Sequence, residues 1–83
     1  MIFIKLDNLE TVNKLVNICT KYKEHTYIDV IYGRYTLDGC SVLGVASLIG
    51  NIVKIKPNTD DVLLLEYLCR DLEEIGAWTQ KTN

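Results

Sequence analysis

The chain has no long hydrophobic run. Hydrophobic residues make up 48% of its 83 residues, yet no apolar stretch approaches the ~20 residues that a helix needs to cross a bilayer. Residues 1–6 reach a charge at Lys5 and lack the basic segment that opens a secretory signal. We therefore expect a soluble, cytoplasmic protein with no membrane insertion.

The sequence is also poor in residues that bind metals or nucleic acids. It has one histidine, His25, and three well-separated cysteines, Cys19, Cys40 and Cys69, none of them in a CxxC pair. An odd number of such cysteines is typical of reduced thiols in a cytosol, and a metal site would lack a second set of ligands. The net charge of −2 and the absence of a dense Lys/Arg cluster argue against nucleic-acid binding. We expect no metal, no cofactor and no nucleic-acid partner.

Alternating strand and helix patterns fill most of the chain. Strand patterns cover residues 1–6, 26–32, 35–37 and 52–56, and Gly33-Arg34 breaks the middle two into a hairpin. The order β-α-β-β-α-β-α predicts an α+β layer, in which helices pack on one face of an antiparallel sheet. We expect a single domain over residues 1–77 and a C-terminal tail over residues 78–83.

Three helices are predicted from capping residues and apolar spacing. Asp7 and Glu10 form a D-x-x-E capping box, so the first helix should begin near Asp7 or Asn8. Residues 41–49 are almost all apolar, which fits a helix or a strand, and Ser41 and Gly50 as end residues favour a short helix.

The third helix should be capped by Asn58 or Thr59 and should end at Gly76. The apolar faces predict a set of highly buried side chains: Val12, Leu15, Val16, Cys19, Leu64, Leu68 and Leu72.

Three segments resemble HPr, the histidine-containing phosphocarrier of the bacterial sugar phosphotransferase system, and its relative Crh. Residues 39–48 read G-C-S-V-L-G-V-A-S-L and are similar to the family segment K-S-I-M-G-L-M-S-L around its regulatory serine. The first helix ends in Lys21-Tyr22, where the family has K-F, and residues 64–74 look like the family's acidic, leucine-rich last helix. The resemblance implies an open-faced β-sandwich with a four-stranded antiparallel sheet and three helices on one face.

The resemblance does not extend to the phosphocarrier motif, which has the sequence L-H-x-R-P-A in the family. Counting back from Lys21-Tyr22 places Asn8 at the histidine position, Glu10 at the arginine position and Thr11 at the proline position. An amide cannot accept and return a phosphoryl group, and Glu10 reverses the charge that would hold a phosphate. His25 lies at the far end of the helix, roughly 24 Å away at 1.5 Å per residue. We therefore expect no histidine phosphotransfer and no enzyme activity.

The same resemblance suggests a regulatory serine and a docking surface. Ser41 is a candidate phosphosite at a helix start, although serine is also an ordinary capping residue and Cys40 replaces the family's basic residue. The partner-binding positions that the family implies are Asn13, Lys14 and Asn17 on the first helix and Val42, Leu43 and Ala46 on the second.

The docking surface depends on the exposure of the second helix. It is too apolar to bury every side chain, and an exposed apolar patch usually marks an interaction site. The alternative is that Val42 and Leu43 belong to the core.

Several functions stay open at this level. The first is a docking, regulatory protein that binds other proteins through its first two helices. The alternatives are a true phosphocarrier that uses another residue, a small-molecule-binding regulatory domain of ferredoxin-like type, and a divergent relative with an unrelated role. The sequence leaves the oligomeric state undecided.

Overall fold

The computed structural model describes residues 1–80, and these residues form one sheet and three helices. The elements are β1 (Ile2–Lys5), α1 (Leu9–Lys21), β2 (Ile28–Tyr32), β3 (Tyr35–Asp38), α2 (Val42–Ala46), β4 (Ile52–Pro57), α3 (Val62–Glu74) and β5 (Trp78–Thr79). All strand pairs are antiparallel, and the order across the sheet is β3-β2-β4-β1-β5.

The core lies between one face of this sheet and the helices. The register pairs Ile2 with Ile55 and Val30 with Ile55, so these side chains share a face, and all three are buried. They join Leu15 of α1 and Leu68 of α3, both with 0% exposure, in a single hydrophobic cluster. Burial of each such side chain contributes ~1.5–3 kcal/mol, so this face holds the fold together.

The sheet has five strands where the sequence predicts four. The additional strand is β5, in which Thr79 pairs with Ile2 and Trp78 pairs with Phe3. The rings of Phe3 and Trp78 stack with their centroids 6.2 Å apart. β5 therefore lies inside the segment expected to be a tail, and residues 81–83 of that segment lie outside the described residues.

The start of α1 lies where the sequence predicts it, at Asn8, but the predicted capping box of α1 and the predicted cap of α3 are wrong. Asn8 caps α1 and bonds to the amide of Thr11, so Asp7 and Glu10 do not form the cap. Asp61 caps α3, where its Oδ1 accepts hydrogen bonds from the amides of the second and third helical residues. Both caps satisfy amides that have no partner inside the helix.

Other expectations from the sequence are confirmed. The hairpin turns at Gly33, Ser41 caps the short second helix, and Gly76 follows the end of α3 with a positive φ of 103°. Of the side chains expected in the core, Leu64 alone is half-buried rather than buried, because it lies at the rim of the cluster.

A close approach between β2, β3 and α1 explains why position 39 is glycine. A Cβ atom there would lie 2.5 Å from the Sγ of Cys19 and 2.9 Å from the carbonyl oxygen of Ile28. The amide of Gly39 also donates to that carbonyl at 2.9 Å. The chain after β3 is thus held tightly against the core just before α2 begins.

Candidate functional site

The start of α1 is the first part of the candidate site. Asn8 is extended, and its Oδ1 accepts hydrogen bonds from the amide of Thr11 at 3.0 Å and from its hydroxyl at 3.2 Å. The side chain that occupies the expected phosphoacceptor position is therefore engaged in capping the helix. An amide so placed offers neither a nucleophile nor a proton relay.

The charges around Asn8 are carboxylates paired with lysines. Glu10 lies 3.3 Å from Lys14 one turn along the helix, and Asp7 lies 3.8 Å from Lys5. All four side chains are exposed, so each pair contributes at most ~1 kcal/mol. Because each lysine already faces a carboxylate, this helix start lacks the unopposed positive charge that binds phosphate.

The start of α2 is the second part of the site. The Oγ of Ser41 accepts a hydrogen bond from the amide of Gly44 at 3.3 Å, and the residue is exposed. Asp38 holds the preceding turn, since its Oδ1 accepts from the amide of Cys40 at 2.9 Å and its carbonyl from the amide of Ser41 at 3.0 Å. The serine hydroxyl therefore stands at a fixed position on the surface.

The two helix regions are tied together by the turn that follows α2. The amide of Gly50 donates to the carbonyl of Leu6 at 2.7 Å, and the amide of Leu6 donates to the carbonyl of Asn51 at 3.0 Å. Leu6 is fully buried and comes just before the α1 cap. The end of α2 and the start of α1 are thus neighbours on one surface.

The outer side of α2 is apolar and exposed. Leu43 has 87% of its surface exposed and Val42 has 43%, whereas Val45 has 0%. Ala46 is half-buried. The alternative in which Val42 and Leu43 belong to the core does not hold, because Val45 is the residue that α2 contributes to the buried cluster.

The three α1 positions of the expected docking surface do not share one environment. Asn13, Lys14 and Asn17 are all exposed, but only Lys14 and Asn17 line the groove between α1 and α3. Leu9, one helical turn before Asn13, is 54% exposed and shares its side of the helix. Helical spacing places Leu9 in line with the buried Val12 and Val16, but Leu9 lies in the first turn of α1 and stays exposed.

The groove between α1 and α3 contains a small polar network. The carboxylate of Asp71 accepts hydrogen bonds from the hydroxyl of Tyr22 at 2.7 Å and from the amine of Lys21 at 3.0 Å. Burial and the Asp71 bond raise the pKa of Tyr22 to about 12, and the Tyr22 and Lys21 bonds lower the pKa of the Asp71 carboxyl. The network joins the end of α1 to α3.

The cysteines behave as packing residues. Cys19 is buried, and desolvation raises the pKa of its thiol to about 12, so it is neither a nucleophile nor a ready metal ligand near neutral pH. Burial also raises the pKa of Cys69. Within residues 1–80, no three His, Cys, Asp or Glu side chains converge as a metal site would require. Over the same residues, the helices are too short or too polar to span a bilayer.

The arrangement of strands and helices defines an HPr-like α+β fold. The crystal structure of HPr-C-His from Thermoanaerobacter tengcongensis is similar to this chain, with a TM-score of 0.64 over 88% of this chain and 85% of that one. Sequence identity between the two is 23%, so the similarity establishes the fold alone. No family model matches the sequence, and no curated protein matches it closely.

Proposed function

We propose that this chain is an HPr-like docking module related to the sugar phosphotransferase system, and that it binds partner proteins without carrying a phosphoryl group. The observation that carries the proposal is Leu43, a leucine with 87% of its surface exposed on a helix of five residues. A small domain gains no stability from such a side chain, and exposed apolar patches mark interaction sites. The module is regulatory rather than enzymatic.

The α1 start supports the loss of phosphotransfer. Catalysis of this kind needs a nucleophile at the helix start and donors for the phosphoryl oxygens. Asn8 supplies no nucleophile, and its carboxamide is bonded to Thr11. Glu10 adds a carboxylate one residue beyond the first helical residue.

The docking surface comprises the α2 residues Val42, Leu43 and Ala46, with Leu9 and Asn13 of α1 beside them. Its centre is apolar, and polar groups surround it, which is the usual anatomy of an interface. Burial of Leu43 in a partner would contribute ~1.5–3 kcal/mol, enough for a single anchoring residue. Lys14 and Asn17, which the family resemblance also implies as partner contacts, line the α1–α3 groove instead.

Ser41 is the candidate control point of the surface. Its hydroxyl is exposed immediately before Val42, so a phosphoryl group there would place about −2 charges beside the apolar centre. Such a charge would have to be desolvated when an apolar partner docks. Phosphorylation of Ser41 is therefore expected to weaken docking.

A pair of matched leucine variants tests the docking surface. Leu43→Glu and Leu63→Glu each place a carboxylate at an exposed leucine, of 87% and 65% exposure, on different helices. Binding of purified Enzyme I and of HPr kinase is measured by titration calorimetry for each variant, with a thermal melt to check folding. We expect Leu43→Glu to lose binding and Leu63→Glu to keep it, with both melting like the parent.

Two results would contradict the proposal. If Leu43→Glu stays folded and binds each partner as the parent does, the α2 surface is not the docking site. If Enzyme I and labelled phosphoenolpyruvate give an acid-labile phosphoryl group on the unmodified chain, the chain is a phosphocarrier that uses another residue.

A further inference from the structure

One edge of the sheet is unprotected. β3 is the outer strand on its side, with four residues and largely exposed side chains, whereas the opposite edge is the two-residue strand β5. Natural edge strands are usually shielded by proline, lysine or a bulge, because their free N–H and C=O groups pair readily with another strand. Residues 35–38 contain neither proline nor lysine.

The outward-facing backbone groups of β3 can be assigned from one hydrogen bond. The amide of Gly39 donates to the carbonyl of Ile28, so the odd-numbered residues of this strand bond to β2. In an antiparallel pair, residues that bond to the neighbouring strand alternate with residues whose backbone groups face the other side. The N–H and C=O groups of Thr36 and the N–H of Asp38 therefore point away from the sheet, whereas the carbonyl of Asp38 already accepts from the amide of Ser41.

The residues along this edge are complementary to themselves. Residues 34–38 read Arg-Tyr-Thr-Leu-Asp, with a positive charge at one end and a negative charge at the other. If two such strands pair antiparallel about Thr36, each Arg34, in the turn just before β3, comes close to the Asp38 of the second copy. Each Tyr35 then lies opposite the second copy's Leu37. Cross-strand pairs of opposite charge and of aromatic with aliphatic side chains are both favourable.

We propose that β3 is a self-association edge, where two copies of the chain join their sheets by antiparallel pairing about Thr36. The two Thr36 residues exchange hydrogen bonds through their outward groups. The apolar groove that Tyr35, Leu37, Ser47 and Leu48 line beside the strand is covered by the Tyr35 and Leu37 side chains of the second copy.

Other registers are less favourable. A shift by one residue places side chains of opposite faces against each other. Pairing about Leu37 sets Asp38 opposite Thr36 and loses both charge pairs. The register about Thr36 brings together the opposite charges, the apolar side chains and the free backbone groups of Thr36. Since the contact is one short strand from each copy, it falls in the class of small interfaces, and the dimer should dissociate on dilution.

The charge pairs allow a test with a built-in rescue. In Arg34→Asp, both ends of the edge are negative, and in Asp38→Lys both are positive, so neither variant should pair with itself. An equimolar mixture of the two restores both attractive pairs. By sedimentation velocity from micromolar to millimolar protein, we expect each variant alone to self-associate about tenfold more weakly than the parent or worse, and the mixture to recover parental association.

A backbone variant provides an independent control. Thr36→Pro removes the outward N–H without removing a bond to β2, because that N–H faces away from the sheet. We expect Thr36→Pro to abolish association and to keep the parental melting temperature. It also covers the case in which Asp38→Lys fails to fold, since Asp38 supports the turn at Cys40.

The proposal is overturned if the parent is monomeric at every concentration, which would leave the edge free or reserved for another protein's strand. It is also overturned if Arg34→Asp and Thr36→Pro associate as the parent does, or if the two folded charge variants fail to associate when mixed.

Discussion

Leu68 and Leu63 are the same residue type on the same helix, α3, and differ in burial. Leu68 has 0% of its surface exposed, and Leu63 has 65%. Truncation of a buried leucine to alanine removes its transfer free energy and leaves a cavity, which together cost 2–5 kcal/mol in well-packed cores. We expect Leu68→Ala to lower the free energy of unfolding by ~2–4 kcal/mol and Leu63→Ala to change it by less than ~0.5 kcal/mol.

These values are large for a domain of this size. At roughly 0.05–0.15 kcal/mol per residue, 83 residues give a total of about 4–12 kcal/mol. The loss at Leu68 is then between about a sixth of the total and all of it, and the melting temperature should fall by roughly 10–30 °C.

The assay is urea unfolding of the parent and both variants. The fluorescence of Trp78, the single tryptophan, reports on the β1–β5 pair, and far-ultraviolet circular dichroism reports on the helices. The reasoning is refuted if Leu68→Ala costs less than ~1 kcal/mol, or if Leu63→Ala costs as much as Leu68→Ala. Either result would mean that α3 packs on the sheet through a different face.

Three further predictions concern local features, at Asn8, Gly39 and Asp71. Asn8→Ala should lower stability by ~1 kcal/mol because α1 loses its cap, whereas Asn8→Ser should be nearly neutral in chemical denaturation. Gly39→Ala should cost ~1–3 kcal/mol, and part of this loss should be recovered when Cys19→Ala is added, because the Cys19 sulfur is the nearest obstacle. The lowered pKa of Asp71 means that its bonds to Tyr22 and Lys21 stabilise the fold above the carboxyl's unfolded pKa, near ~4, and that this contribution is lost as the pH falls through the folded value. The difference in unfolding free energy between the parent and Asp71→Asn should therefore shrink below about pH 4, and a constant difference in acid titrations would contradict it.

Helical periodicity was sufficient to place the buried faces of α1 and α3. Val12, Leu15 and Cys19 recur at three- and four-residue spacing, and all three are buried. Such spacing reflects a single helix face, so it can be read locally. The hairpin at Gly33 was equally readable, because a two-residue turn between alternating strands has a local signature.

The features that the sequence did not predict depend on contacts between distant segments. β5 is two residues long and forms because Ile2 and Phe3 lie beside it, about eighty positions earlier in the chain. The start of α3 had several suitable capping residues, and the choice of Asp61 over Asn58 depends on where β4 releases the chain. Asn58 is instead bonded to the residue just before β2, because its backbone amide donates to the carbonyl of Tyr27 at 2.9 Å.

The candidate docking surface was likewise predicted only in part from the sequence. The composition of α2 indicated that some apolar side chain must be exposed to solvent. Leu43 and Val45 are both aliphatic, however, so the sequence does not show which of them is exposed. Their difference, 87% against 0% exposure, arises from how α2 packs on α1 and β3. Similarly, counting back from Lys21-Tyr22 placed Asn8 near the start of α1. Its hydrogen bond with Thr11 depends on the folded backbone and could not be predicted from the sequence.

The fifth strand also determines how the domain would respond to mechanical force. The amide of Gln80 donates to the carbonyl of Met1 at 2.9 Å, and the amino group of Met1 donates back at 3.3 Å, so the two segments meet side by side. A pull applied between residues 1 and 80 would load the hydrogen bonds of the β1–β5 pair one after another, because in an antiparallel pair they run perpendicular to the strands. This is an unzipping geometry, in which each bond breaks separately and resists weakly.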